Sequence, residues 1–178
     1  RDGRLPHYAD DELQTIVRTA ADIGVPVAAH AHGDEGMRRA VMAGVVSIEH
    51  GTFMSDFTMQ LMIQQGTWLV PTLTAGWAVT DSAQYAPGFF PEVVRVKALG
   101  IGPQISETLT KAYQKGVKIA FGTDAGVFPH GKNNLEFNYM AQAGMKNWDV
   151  LRAATIRAAE LLRLSDQIGT LETGKAAD

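Results

Sequence analysis

The 178-residue sequence contains no cysteine. Disulfide frameworks, thiol nucleophiles and thiolate metal sites are excluded together, which leaves imidazole and carboxylate as the strong ligands for any metal. No apolar run approaches the ~18 residues of a transmembrane helix. Positive charge is not in excess either: 16 Lys+Arg stand against 19 Asp+Glu, a formal net charge of −3. Nucleic-acid binding needs clustered cations to neutralise phosphates, so neither a nucleic acid nor a membrane is expected as a partner. Low-complexity tracts and charge runs are lacking. What is present is an ordinary globular balance, 46% hydrophobic and 20% charged, in a length that suits one domain at roughly 100–200 residues each. The chain opens on Arg1-Asp2-Gly3-Arg4, without initiator Met or signal peptide, and stops at Lys175-Ala176-Ala177-Asp178 without a cap. Both ends read as cut, and the compartment is left open.

One pattern repeats. Leu13, Ile16, Val17 and Ala20 have amphipathic helical spacing behind the acidic start Asp10-Asp11-Glu12; Gly24 stops this helix, and Val25 to Ala29 reads as a short strand buried on both faces. The same order of helix, glycine and strand recurs with Asp34 to Ala43, Gly44 and Val45 to Ile48, and with Phe57 to Gln65, Gly66 and Thr67 to Val70. It returns with Ile105 to Lys115, Gly116 and Val117 to Phe121; two further helices are expected over Leu135 to Ala143 and Trp148 to Arg163. Between the third and fourth copies, Ala75 to Gly102 carries scattered Pro, Gly and aromatics and is expected to contain a long loop, either a lid or substrate wall over the site or a packed insertion.

Alternating helices and buried strands imply parallel strands with crossover helices, hence an α/β architecture. Six residues after each stopping glycine stand His30, His50, Thr72 and Gly122, each at the C-terminal end of its strand. Side chains alternate along a strand, so His32 shares a face with His30 and Asp124 with Gly122. These ends meet at one rim, where ligand-binding groups collect in parallel sheets and barrels. A His-x-His pair also suits core or surface histidines, and an Asp within Thr-Asp-Ala-Gly also suits a turn. Taken together, two imidazoles and a carboxylate form a hydrolytic metal site, in which the metal lowers the pKa of bound water toward ~7.

Val27-Ala28-Ala29-His30-Ala31-His32-Gly33, Ser47-Ile48-Glu49-His50-Gly51-Thr52 and Phe121-Gly122-Thr123-Asp124-Ala125-Gly126 resemble, in order and spacing, the strand-five, strand-six and strand-eight motifs of the amidohydrolase superfamily. Pro129-His130-Gly131, the helix from Ala153 to Glu160 and the run from Ile168 to Lys175 extend the likeness toward its imidazolonepropionase-related and prolidase-like branch. The resemblance implies a (β/α)8 TIM-barrel fold, present as roughly its second half over residues 1–168, with 169–178 beginning the return to a small β-sandwich domain. It makes His30 and His50 metal ligands and Asp124 both a ligand and the proton shuttle. His32, His130 and Phe128 fall to substrate binding. The implied cofactor is a divalent metal, zinc first, as one or two ions, with Mn, Fe or Co as alternatives. The implied reaction is hydrolysis of a carbon–nitrogen amide bond in a small-molecule or dipeptide substrate, either a dipeptide or an N-acyl amino acid; self-association is left open.

The family's strand-one His-x-His and strand-four lysine have no counterpart in the chain, and a complete barrel takes about 250 residues. Two alternatives stay in view: a cyclic-amide hydrolase, and a non-catalytic piece of such an enzyme. A doubly wound binding domain is disfavoured, because Gly33-Asp34-Glu35-Gly36 would set two carboxylates where a phosphate needs a helix N-terminus.

Overall fold

The computed structural model describes residues 4–176. The terminal readings at Arg1 to Gly3 and at Ala177 and Asp178 lie outside these residues. The elements run α1 (Asp10–Asp22), β1 (Ala28–Ala31), α2 (Asp34–Ala43), β2 (Ser47–His50), α3 (Asp56–Gln65), β3 (Trp68–Val70), α4 (Leu73–Tyr85), α5 (Glu92–Ala98), α6 (Ile101–Lys115), β4 (Lys118–Ile119), α7 (Leu135–Gln142), α8 (Asn147–Ala154) and α9 (Ile156–Leu161). The four strands form one sheet in the order β1-β2-β3-β4, every pairing parallel. This is the α/β arrangement expected from the repeat.

The helix stops work as the sequence implies. Gly44, Gly66 and Gly116 take left-handed conformations at φ 100°, 72° and 87°, where a Cβ would be strained, and each turns its chain directly into the next strand. Ser55 caps α3 by accepting the Thr58 N–H at 3.2 Å, and the Glu12 carboxylate reaches back to the Ala9 N–H at 2.7 Å at the start of α1.

Strand alternation divides the interior. Ile48, Leu69 and Ile119 are fully buried against Met37 and Val41 of α2, Met59 and Met62 of α3 and Ile105 and Leu109 of α6. Trp68, Val70 and Ala120 form a smaller cluster on the opposite face, with Leu161 packed against it. The larger cluster carries most of the hydrophobic stabilisation, since the driving force scales with apolar area removed from water.

Several expectations need correction. β1 is not buried on both faces: Ala28 and His30 are exposed, and the side they share opens onto a cavity. The stretch expected to hold a long loop is mostly helix, filled by α4, α5 and the start of α6. Buried positions of α4 include Leu73, Gly76, Thr80 and Ala83, so its packing stripe is largely Gly, Thr and Ala and gives little apolar periodicity. Of the two roles offered for the segment, it takes that of a packed insertion: Thr80 Oγ1 donates to the Ala98 carbonyl at 3.0 Å and accepts the Gly102 N–H at 2.9 Å, and Trp77 Nε1 donates to Ser106 Oγ at 3.1 Å. The helix expected over Trp148 to Arg163 is two helices, broken at Thr155, whose φ of −122° and ψ of −91° are not helical.

Candidate metal centre

His30 lies within β1, His50 closes β2 and His32 follows β1 by one residue. Ligand nitrogens of these three residues lie within 4.8 Å of one another, the one such group among the described residues. Their rings stand 4.5 Å apart for His30 and His50, 4.8 Å for His30 and His32, and 5.0 Å for His32 and His50.

Simple alternation would send His50 to the same face as Ile48, into the helix-covered core. It escapes because its φ is +70°, left-handed for a non-glycine residue. Gly51 follows at φ 67°, where a side chain would be strained and its Cβ would displace Leu69 Cδ1 at 2.8 Å and Met54 Cε at 2.9 Å.

Two of the imidazoles are anchored through Nδ1. His50 Nδ1 lies 2.6 Å from Thr72 Oγ1, and His32 Nδ1 lies 2.8 Å from Thr52 Oγ1. His50 Nε2 faces His30 Nδ1 at 2.9 Å. Burial pushes the His50 imidazole down to about 4, helped by the neighbouring His32 and His30. Burial, then His30, lowers His32 as well. Both rings are therefore neutral near pH 7 and keep the lone pair a cation needs. Neutral imidazoles held through Nδ1, with ligand nitrogens of all three histidines within 4.8 Å of one another, suit a divalent cation of the zinc type.

Asp124 lies on the same rim in the loop after β4, exposed and left-handed at φ 54°, outside the group of three nitrogens. Its charge reaches Glu49, a half-buried carboxyl in β2 whose pKa is raised first by burial and further by Asp124, while a 2.6 Å hydrogen bond from Ser47 Oγ opposes the rise. A cavity of about 610 Å³ opens beside His30 and His32, walled by Leu5, Pro6, His7 and Tyr8 of the N-terminal segment. His130 is exposed and Phe128 is buried, and neither lines this cavity.

Sequence reasoning placed Thr72 at the rim without a role and missed Thr52, Glu49 and Glu136. Glu49 was detectable as a charged residue inside an otherwise buried strand. Glu136, fully buried, is a lone carboxylate among Leu135, Phe137 and Met140.

A model of the amidohydrolase family matches residues 4–178. The chain belongs to that family. A solved Xaa-Pro dipeptidase, with methionine bound in its active site, superposes on this amidohydrolase chain with a TM-score of 0.94 at 52% identity, covering 98% of this chain and 43% of the other. The ochratoxinase of Aspergillus niger is 31% identical over 157 residues, covering 85% of this chain and 31% of its own length. The imidazolonepropionase of Brevibacillus brevis is 31% identical over 147 residues, covering 81% of this chain and 29% of its own length. The chain thus spans less than half the length of these relatives. The superposition bears out the barrel-type α/β fold, and the relatives bear out the prolidase-like and imidazolonepropionase-like branch. No helix among the described residues of the amidohydrolase chain is long and apolar enough to cross a membrane.

Proposed function

We propose that this amidohydrolase contributes the metal centre and proton-transfer group of a hydrolase acting on carbon–nitrogen amide bonds, with dipeptides or N-acyl amino acids as substrates. The observation that carries the reading is the gathering of His30, His32 and His50 at the C-terminal rim of a parallel sheet that superposes on a dipeptidase. A divalent cation bound there, zinc first among Zn, Mn, Fe and Co, supplies Lewis acidity toward the substrate carbonyl and an acidified water. His30 and His50 would hold it through imidazole nitrogens, and Asp124 of the β4 loop would be the carboxylate ligand. Thr72 fixes the orientation of His50. Asp124 takes a proton from the attacking water and delivers it to the leaving amine, so that the amine departs neutral. His32, steadied by Thr52, faces the substrate. Phe128 and His130, in the loop after β4, are assigned to substrate binding on the family resemblance alone.

The mutual distance of the three imidazoles also favours a second reading, in which His32 is itself a ligand. Calorimetric titration with Zn²⁺ separates the two: His32→Ala keeps tight binding in the first reading and loses it in the second. Activity is assayed on the 178-residue chain and on a chimera in which it replaces the matching part of the dipeptidase. Dipeptides, N-acyl amino acids and a cyclic amide serve as substrates. We expect the chimera to cleave dipeptides and Asp124→Asn to lower its kcat by 100-fold or more, within the roughly 10²–10⁴ that general acid–base catalysis contributes. An unchanged kcat removes Asp124 from proton transfer. Preference for the cyclic amide moves the assignment to the imidazolonepropionase side, and a chimera that binds zinc without turnover makes the chain a non-catalytic piece.

A further inference from the structure

Glu136 sits in the first turn of α7, completely buried, and its carboxylate is used up by the start of another helix. Oε1 accepts the Leu73 N–H at 2.8 Å, while Oε2 accepts the Thr74 N–H at 2.7 Å and the Thr74 hydroxyl at 2.6 Å. The first turn of a helix has amides without intrahelical partners, normally satisfied by a side chain just before it. At α4 that preceding residue is Thr72, and it makes no such cap: it is left-handed at φ 52°, ψ 47°, and its hydroxyl meets His50 Nδ1 instead. The capping duty has passed to a carboxylate more than sixty positions away in sequence. Thr72 is thereby free to hold an imidazole. The turn that delivers Glu136 also touches the Asp124 loop, since Asn133 Nδ2 donates to Thr123 Oγ1 at 3.1 Å and Glu136 N–H donates to the Asn133 carbonyl at 3.2 Å.

We propose that Glu136 is a positioning residue for the rim: by clamping the first turn of α4 it holds Thr72 in its left-handed conformation, and Thr72 in turn holds the His50 ring with Nδ1 toward its hydroxyl and Nε2 toward His30, where a cation would bind. The proposal rests on the metal-centre reading for its last step. The Glu136→Gln variant is the sharpest probe. All three neighbours of the carboxylate are donors, so an amide NH₂ must face at least one of them, with almost no change of volume.

The test uses the 178-residue chain with ¹⁵N-labelled histidine. In the metal-free protein, long-range ¹H–¹⁵N spectra of His50 are expected to show one tautomer, protonated at Nδ1; Glu136→Gln and Thr72→Val should each give a mixture. Zn²⁺ affinity should fall about tenfold in each, at the lower end of the range for partners behind a metal ligand. The double variant should bind no more weakly than Thr72→Val alone, because both act through one contact. Thr80→Val, which removes a buried hydroxyl elsewhere on α4, controls for loosening: it should lower the melting temperature and leave the His50 tautomer unchanged. The proposal is overturned if Glu136→Gln melts earlier with His50 still in one tautomer, if Thr80→Val mixes the tautomers equally, or if the double variant is additive. Should Glu136→Gln fail to fold, Thr74→Ala must show the same tautomer mixing to a smaller extent, and an unchanged spectrum counts against the proposal. Absence of Zn²⁺ binding by the unaltered chain defeats the metal reading alone, since the tautomer measurement still decides the role of Glu136.

Discussion

The two ends of the sheet use the same backbone conformation for opposite purposes. At the end where strands begin, Gly24, Gly44, Gly66 and Gly116 are left-handed and turn the chain after a helix, and Arg163, beside Gly44 and Gly66, is left-handed as well. At the end where strands finish, three residues that carry side chains, His50, Thr72 and Asp124, are left-handed alongside Gly51. Glycine adopts this conformation at little cost, whereas a residue with a Cβ gives up roughly 1–2 kcal/mol. The four helix stops thus avoid the left-handed penalty by being glycine, whereas the rim accepts it at His50, Thr72 and Asp124. Such outliers persist only when their surroundings over-determine them, and here a Thr hydroxyl holds His50 while a buried carboxylate clamps the turn after Thr72.

Exchanging residue types between the two ends tests this contrast. His50→Gly should weaken Zn²⁺ binding by more than about 100-fold, beyond the range typical of residues behind a ligand. Its unfolding free energy should change by no more than about 1 kcal/mol, because relief of the left-handed penalty offsets the extra backbone entropy of glycine. Calorimetric titration and denaturant unfolding on one sample give both numbers, and a large loss of stability would show that His50 is held there for packing. Gly44→Ala should do the reverse. Its Cβ would meet Val17 Cγ1 at an ordinary 3.6 Å, so the cost is conformational, about 1–2 kcal/mol, and Zn²⁺ affinity should stay as it is. The smallest effect separates the ends by titration. The folded chain keeps His50 neutral down to about 4, while the unfolded chain takes up a proton near 6.5. Between those values the unfolded state binds more protons, so stability should fall as pH is lowered from about 6.5 to 4, with His32 adding in the same direction. That slope should flatten in His50→Gly and persist in Gly44→Ala, whose whole curve is only displaced downward.

The strand ends were legible because the repeat of helix, glycine and strand sets a fixed count from Gly24, Gly44, Gly66 and Gly116 to the rim. His30, His50 and Thr72 follow from it without knowledge of the sheet. Less legible was how His50 comes to face His30. Alternation alone points it the wrong way, and only the left-handed backbone brings it round. The helices α4 and α5 were hidden for a compositional reason, since the buried side of α4 is built largely from Gly76, Thr80 and Ala83 and its neighbours include the backbone of Gly102. Glu136 was hidden by distance, because a cap drawn from another helix leaves no local signature beside Leu73. Asp124 was found from its motif, while its electrostatic link to Glu49 needed the fold.

The carboxylate clamp on α4 also bears on how the rim moves. Amides of a helix's first turn ordinarily exchange with solvent early, because nothing inside the protein holds them. Those of Leu73 and Thr74 are bound to a carboxylate with no solvent exposure, between two helices that both face the large core. Opening them requires α4 and α7 to separate, which breaks that core. Fluctuation of the Thr72 turn is thus linked to the global unfolding event and excluded from the cheaper local openings. Hydrogen exchange at these two amides should be among the slowest in the chain, and fast exchange there would mean that the rim breathes independently of the fold.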